Sequence, residues 1–115
     1  MKIKSYWRDI SFNIELIIDH ESILLEFVSG MHRFGGKPNA YYVSVKHRSI
    51  KFNDKLEAFE EESGIPESLK QYIPKIIKES KVILKQVGIS PSTLVPSYED
   101  EQLYEIVTML RSEEP

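Results

Sequence analysis

Residues 9–18 read DISFNIELII, and this stretch decides the expected fold. Every second residue from Ile10 to Ile18 is apolar, whereas the intervening positions are polar until Ile17. Because side chains alternate between the two faces of a strand, the pattern predicts a β-strand with one buried face. The face expected to meet solvent carries Ser11, Asn13, Glu15 and Ile17. A sheet with one apolar face needs a second layer to cover it, so we expect an α+β domain.

The segment that follows, Ser22 to Phe34, fits two structures. As a strand it would share a hairpin with residues 9–18, with the turn at residues 19–22. As a helix it would be capped by Ser22 and would end at Gly35. Gly30 inside the pattern disfavours the helix, and the strand is the preferred interpretation.

Further along, residues 40–46 alternate in the manner of another strand. The apolar phase slips between Val45 and Ile50, which predicts a bulge or tight turn at residues 47–49 before a short strand at 50–52. Together these segments predict a curved antiparallel sheet of three or four strands within residues 2–52.

The second half is expected to be helical. A short helix is predicted from Asn53 or Asp54 to Ser63, with buried side chains at Leu56 and Phe59. A second helix is predicted from Pro66 to Val87, kinked or split at Pro74 because proline removes a backbone donor.

The prolines in residues 89–96 predict an extended connection to a third helix. That helix would be capped by Ser97, with Asp100 three residues on, and would end near Leu110. Residues 1–115 are therefore predicted to form a single α+β domain, an antiparallel sheet of three to four strands packed by three C-terminal helices.

Composition excludes several classes of protein. The 115 residues contain no cysteine, which excludes a disulfide scaffold, a thiolate metal site and a cysteine nucleophile. The first residues have no apolar core of a secretory signal, and the longest apolar runs are far shorter than the ~20 residues of a membrane span. We therefore expect a cytoplasmic protein with no membrane partner.

No motif points to catalysis. His20, His32 and His47 lack the spacing of a zinc site, and neither a nucleophile elbow nor a phosphate-binding loop is present. The expectation is no enzyme, no metal and no cofactor. The alternative is a small enzyme or nucleic-acid-binding module using the basic segment 31–55, in which these residues would converge beside Gly35: His32, Arg33, Lys46, His47 and Arg48.

Charge is distributed in blocks. Residues 57–67 hold five acidic residues and no basic one, and residues 97–115 hold six acidic residues against one basic. Residues 68–87 hold five lysines against one glutamate. Acidic blocks that contain tyrosines are typical of surfaces that steer and anchor a basic protein. The predicted partner-binding residues are Glu60, Glu61, Glu62, Tyr98, Glu99, Asp100, Glu101, Tyr104 and Glu105.

These features favour a stoichiometric binding protein. The net charge of −3 makes nucleic acid an unfavourable partner. A small, acidic, cysteine-free domain has the size and charge of a bacterial immunity protein, an inhibitor that neutralises a basic nuclease toxin. Its carboxylates would occupy the phosphate-binding groove of the toxin and so occlude it.

Overall fold

The protein is built on a six-stranded sheet. The computed structural model describes residues 1–52 and 57–112, without the side chains of residues 50–52 and 57–59. Five strands form an antiparallel meander in chain order, and a sixth runs parallel to the start of the fourth. They are β1 (Lys2–Arg8), β2 (Ser11–Ile18), β3 (Glu21–Ser29), β4 (Tyr41–Phe52), β5 (Glu57–Ser63) and β6 (Leu94–Pro96).

Two α-helices cover one face of this sheet. They are α1 (Ile73–Val87) and α2 (Glu101–Arg111). A 3₁₀ helix at Glu67–Tyr72 leads into α1, so the predicted division of the 66–87 segment is confirmed. Pro74 lies in the first turn of α1, where its missing N–H costs no helical hydrogen bond.

The predicted helix ending at Ser63 is wrong, because residues 57–63 form strand β5. The sheet therefore has more strands than expected, and residues 1–52 and 57–112 contain two α-helices rather than three. Glu61 lies opposite Arg48 in the β4–β5 register, and cross-strand pairs of opposite charge stabilise a sheet. The predicted cap at residues 53–54 and the predicted burial of Leu56 and Phe59 lie outside the described residues and side chains.

The strand interpretation of residues 22–34 is confirmed by β3, which ends in a 3₁₀ turn at Gly30–His32. The predicted bulge at residues 47–49 is wrong, because β4 runs without interruption to Phe52. The apolar alternation breaks after Val45 because the next position on the helix side of the sheet is occupied by a polar residue, His47. Its Nε2 atom lies 3.1 Å from Oε1 of Glu21 on β3.

Two predicted boundaries also shift. Strand β2 begins at Ser11, because Asp9 adopts a positive φ of 51° in the turn that precedes it. Asp100, and not Ser97, caps α2, since its carboxylate accepts a hydrogen bond of 2.9 Å from the backbone N–H of Leu103.

The core lies between the helices and one face of the sheet. On β2, β3 and β4 the alternation predicted from the sequence turns every second apolar side chain towards α1 and α2. The apolar side chains that these strands contribute to the core are Phe12, Ile14, Leu16, Ile23, Leu25, Phe27, Val43 and Val45, and those from the helices are Ile76, Ile77, Leu84, Leu103, Ile106, Val107 and Leu110.

The loop between β3 and β4 is held by its own backbone. Gly30 donates to the carbonyl of Ala40 at 2.8 Å, and Ala40 donates to the carbonyl of Lys37 at 3.0 Å. A Cβ atom built on Gly30 would lie 1.6 Å from the carbonyl oxygen of Lys37. Only glycine therefore fits at this position.

We expect Gly30→Ala to lower the free energy of unfolding by about 1–3 kcal/mol, the usual cost of overpacking a close contact. Urea denaturation measures this change. Gly36→Ala provides the comparison, because its Cβ would approach other atoms no closer than 3.0 Å. An equal loss at both positions would contradict the close approach of Gly30 to Lys37.

Candidate functional site

The outward side of α2 carries a cluster of acidic and aromatic residues. The helix buries one apolar stripe against the sheet, so its polar residues face outward. The outward residues line an open depression of about 510 Å³. We call this cluster the acidic helix surface, and its residues are Glu101, Tyr104, Glu105, Thr108 and Met109.

The start of α2 is fixed to the edge of β4. The backbone N–H of Ser97 donates to the carbonyl of Val43 at 2.9 Å, and the Tyr98 hydroxyl donates to the carbonyl of Val45 at 3.2 Å. Partial burial raises the pKa of Tyr98 above its ordinary value, so the phenol stays protonated and able to donate. Tyr98 is thus a partly exposed structural anchor.

The two acidic blocks meet at Gln102. Its side-chain amide donates to the carbonyl of Ile65 at 3.1 Å and accepts from the N–H of Ile65 at 2.8 Å. This pair of hydrogen bonds holds Ile65, which lies two positions after the end of β5, against the first turn of α2. The end of β5, which we call the acidic strand and which carries Glu60, Glu61 and Glu62, therefore lies close to the first turn of α2, although about 40 residues of sequence separate Glu61 from Glu101.

The predicted partner-binding residues divide into groups. Glu101, Tyr104 and Glu105 share the acidic helix surface, and Glu99 is exposed immediately before it. Asp100 uses its carboxylate as the cap of α2. On β5, Glu60, Glu61 and Glu62 are all exposed, but the register turns Glu61 to the side of the sheet away from the helices.

On that other side of the sheet, a buried carboxylate forms the centre of a polar cluster. Glu15 was predicted to meet solvent, but it is only 4% exposed. Its carboxylate accepts from the hydroxyl of Ser22 at 2.5 Å, from the hydroxyl of Tyr6 at 3.2 Å and from Nη1 of Arg48 at 3.2 Å. Lys4 lies 3.6 Å from the same carboxylate. Long side chains from β1 and β4 cover Glu15, so the predicted solvent face is wrong at this position.

The hydroxyl of Tyr6 is held in its protonated form in this cluster. Partial burial and then the nearby negative charge of Glu15 raise the pKa of the Tyr6 phenol. The neutral phenol can therefore donate to the carboxylate at neutral pH. The sequence contains no signal for this contact, because it depends on the β1–β2 pairing that places Tyr6 near Glu15.

The basic residues of β4 on this face are engaged by carboxylates. Lys46 lies 3.0 Å from Glu26 and 3.8 Å from Glu61. Arg48 contacts Glu61 at 3.1 Å in addition to Glu15. These pairs link the two basic residues of β4 to carboxylates on β2, β3 and β5.

The five residues of the alternative basic site do not converge. Lys46 and Arg48 face away from the helices, whereas His47 faces them. Arg33 stacks over the ring of Tyr42 at 4.3 Å and donates to the carbonyl of Ser97 at 2.7 Å. His32 is exposed in the 3₁₀ turn after β3.

An open cavity of about 430 Å³ lies on this face between the β1–β2 turn and the Lys46–Glu61 pair. Another of about 260 Å³ is lined by Lys4, Glu15, Arg48 and the residues of the β2–β3 turn. This volume falls slightly below the roughly 300–1,000 Å³ of small-molecule sites. Within residues 1–52 and 57–112, no three His, Asp or Glu side chains are grouped so that they could hold a metal ion.

A second exposed surface lies at one end of the sheet. The β1–β2 turn and the β3–β4 loop share this end, as the strand register requires. Both present large apolar side chains to solvent, and Phe34 is completely exposed. The apolar residues exposed here are Trp7, Ile10, Met31 and Phe34, so the prediction that Ile10 lies on the buried face of the first strand is wrong.

In the described part of the chain, no helix is long and apolar enough to cross a membrane. No protein-family model matches the chain, and neither a curated protein nor a solved structure is detectably similar to it.

Proposed function

We propose that the protein is a stoichiometric binding protein for a basic protein partner, and that it binds through the acidic helix surface and the adjoining acidic strand. The finer form of the proposal is that the partner is a nuclease-type toxin domain and the chain is its inhibitor. The observation that carries the proposal is the meeting of the two acidic blocks at the hydrogen bonds between Gln102 and Ile65.

Charge and apolar area are combined on this surface. Glu101 and Glu105 lie one helical turn apart and flank the exposed side chain of Tyr104. Clustered carboxylates raise the rate at which a cationic partner arrives, and a tyrosine supplies contact area at a low entropic cost. A nuclease groove that binds phosphates is cationic, so carboxylates fit it and exclude its substrate.

The contacts of the basic residues support this proposal over an enzyme or a nucleic-acid-binding module. Lys46 and Arg48 are paired with carboxylates on the sheet, and Arg33 is held by Tyr42 and Ser97. Phosphate binding requires cations that can contact the backbone of the nucleic acid. The acidic helix surface, in contrast, presents its carboxylates outward.

Charge reversal provides the test. We expect the double variant Glu101→Lys and Glu105→Lys to slow association with the partner by about tenfold or more, because electrostatic steering contributes 10–10³ to the rate. The partner is first captured from the native host on the wild-type chain, and association is then measured by stopped flow over a salt series. The wild-type rate should fall as the salt concentration rises.

The matched control is the double variant Lys2→Glu and Lys37→Glu, which changes two exposed charges on the sheet and its loop. Its association rate should stay within about twofold of the wild-type rate, because surface charges away from an interface are screened over about 10 Å. Hydrogen exchange then locates the interface. Protection confined to the end of the sheet that carries Trp7 and Phe34 would contradict the proposed binding surface.

The toxin form of the proposal has its own readout. An equimolar amount of the chain should abolish DNA or RNA cleavage by the captured partner, and the Glu101→Lys, Glu105→Lys variant should restore cleavage at the same concentration. A partner without nuclease activity would overturn the toxin form and leave the binding proposal in place.

A further inference from the structure

The block of lysines in residues 68–87 has no part in the proposed function. These lysines belong to α1 and to the 3₁₀ helix before it. On the outward side of α1, Lys75, Lys78 and Lys85 are exposed together with Val82. We call this group the basic helix surface. A depression of about 370 Å³ beside it is lined by Pro74, Ile77, Lys78, Lys81 and Val82.

The basic and acidic helix surfaces belong to the same layer of the molecule. Helices α1 and α2 contact each other, and both cover the same face of the sheet. Their outward sides therefore form one surface that is positive along α1 and negative along α2. Exposed apolar side chains lie on both halves, with Val82 at 54% and Tyr104 at 43% exposed.

We propose that a second copy of this chain binds here, helix layer against helix layer, as a symmetric dimer. A two-fold axis along the seam between α1 and α2 places α1 of each protomer over α2 of its partner. The lysines of one copy then meet the carboxylates of the other copy twice. Self-complementarity of this kind is what a two-fold interface requires.

Apolar contacts add to the charge pairing in this arrangement. The helix layer exposes Val82 on α1 and Tyr104 and Met109 on α2, and the dimer would cover all three side chains. Burial of such groups favours association, and opposite charges around them select the pairing. An alternative two-fold axis across the helices would place α1 over α1 and oppose like charges.

The size of the surface predicts a weak dimer. Helix α1 has 15 residues and α2 has 11, which correspond to lengths of about 22 and 16 Å. With helices about 10 Å apart, the face measures roughly 20 by 20 Å, so the dimer would bury roughly 800 Å² in total, less than the ~1,200–2,000 Å² of stable interfaces. We therefore expect an equilibrium between monomer and dimer that depends on concentration and weakens as salt is added.

The dimer stands independently of the proposed function, but it would regulate that function. The acidic helix surface is covered in the dimer, so a basic partner and a second copy compete for it. The double variant Lys78→Glu and Lys85→Glu should be monomeric and should bind the captured partner at least as fast as the wild-type chain.

Sedimentation equilibrium of the chain alone provides the test, with no partner required. We expect the wild-type chain to shift from monomer to dimer as its concentration rises. The Lys78→Glu, Lys85→Glu variant and the Glu101→Lys, Glu105→Lys variant should each lose dimerisation by at least about tenfold, because each opposes like charges. An equimolar mixture of the two variants should dimerise again, since both contacts regain opposite charges in the mixed pair.

The Lys2→Glu, Lys37→Glu variant is the control, and its dimerisation should match that of the wild-type chain. Val82→Glu tests the same surface without reversing an existing charge. This variant should also weaken the dimer. A wild-type chain that stays monomeric at all concentrations would overturn the proposal. So would a mixture of the two reversed variants that stays monomeric while both variants show wild-type circular dichroism.

Discussion

Replacement of Glu15 by alanine is expected to lower the free energy of unfolding by about 3–5 kcal/mol, the usual result of removing one partner from a buried ion pair. The carboxylate of Glu15 accepts hydrogen bonds from Tyr6, Ser22 and Arg48. Without it, the partly buried Arg48 guanidinium loses a counter-charge, and the hydroxyl of Ser22 loses its acceptor. Urea denaturation followed by circular dichroism measures the loss.

An exposed ion pair provides the comparison. Nζ of Lys70 lies 2.7 Å from Glu67, which is closer than the 3.2 Å between Arg48 and Glu15. Glu67→Ala should nevertheless leave the unfolding midpoint unchanged, because water screens a pair on the surface. Equal losses in the free energy of unfolding for Glu15→Ala and Glu67→Ala would show that burial does not make the contacts of Glu15 more stabilising than those of an exposed residue.

A double-mutant cycle separates the pair from the rest of the cluster. Glu15→Ala and Arg48→Ala, alone and together, should give a coupling of about 0.5–3 kcal/mol, as residues in one network do. Additive effects would mean that Glu15 acts through Ser22 and Tyr6 rather than through Arg48.

Replacement of Ile14 by alanine is expected to cost about 2–5 kcal/mol, because a large side chain is removed from a closely packed core. Ile14 is completely buried between β2 and the helix layer. The same denaturation experiment measures the change. The control is Ile17→Ala, because Ile17 lies in the same strand but faces the other side of the sheet and is only half-buried.

The Ile17→Ala variant should lose less than about 1.5 kcal/mol, since less apolar area is removed from contact with protein. If the losses at Ile14 and Ile17 were equal, the assignment of the two faces of β2 would be wrong. The pair of variants therefore tests the prediction made from residues 9–18 alone.

Local pattern accounts for the parts of the fold that were predicted correctly. The alternation in residues 9–18 indicated strand β2 and the face that packs on the core, because side-chain direction in a strand follows from the period of two. Pro74 marked the division before α1 for a reason that is equally local, its missing N–H and fixed φ.

Contacts between distant residues account for what the sequence did not reveal. Residues 57–63 form a strand because Glu61 lies beside Lys46 and Arg48, and such pairing overrides a local preference for helix. Asn13 and Glu15 are buried on a face that the pattern assigned to solvent. Neither outcome can be read from a window of neighbouring residues, since Arg48, which contacts both Glu61 and Glu15, lies 33 residues from Glu15 in the sequence.

The sequence by itself determined that the chain is an α+β domain, that β2 buries one apolar face and that acidic residues are concentrated in two blocks. Only the tertiary structure decided that these blocks meet, through the hydrogen bonds between Gln102 and Ile65, and that Lys46 and Arg48 are paired with carboxylates. The physical reason is that local sequence properties and the tertiary contacts that shape a surface act between residues at very different separations along the chain. Composition and periodicity act along the chain, whereas the surface that a partner meets depends on strand register and on the packing of α2 against the sheet.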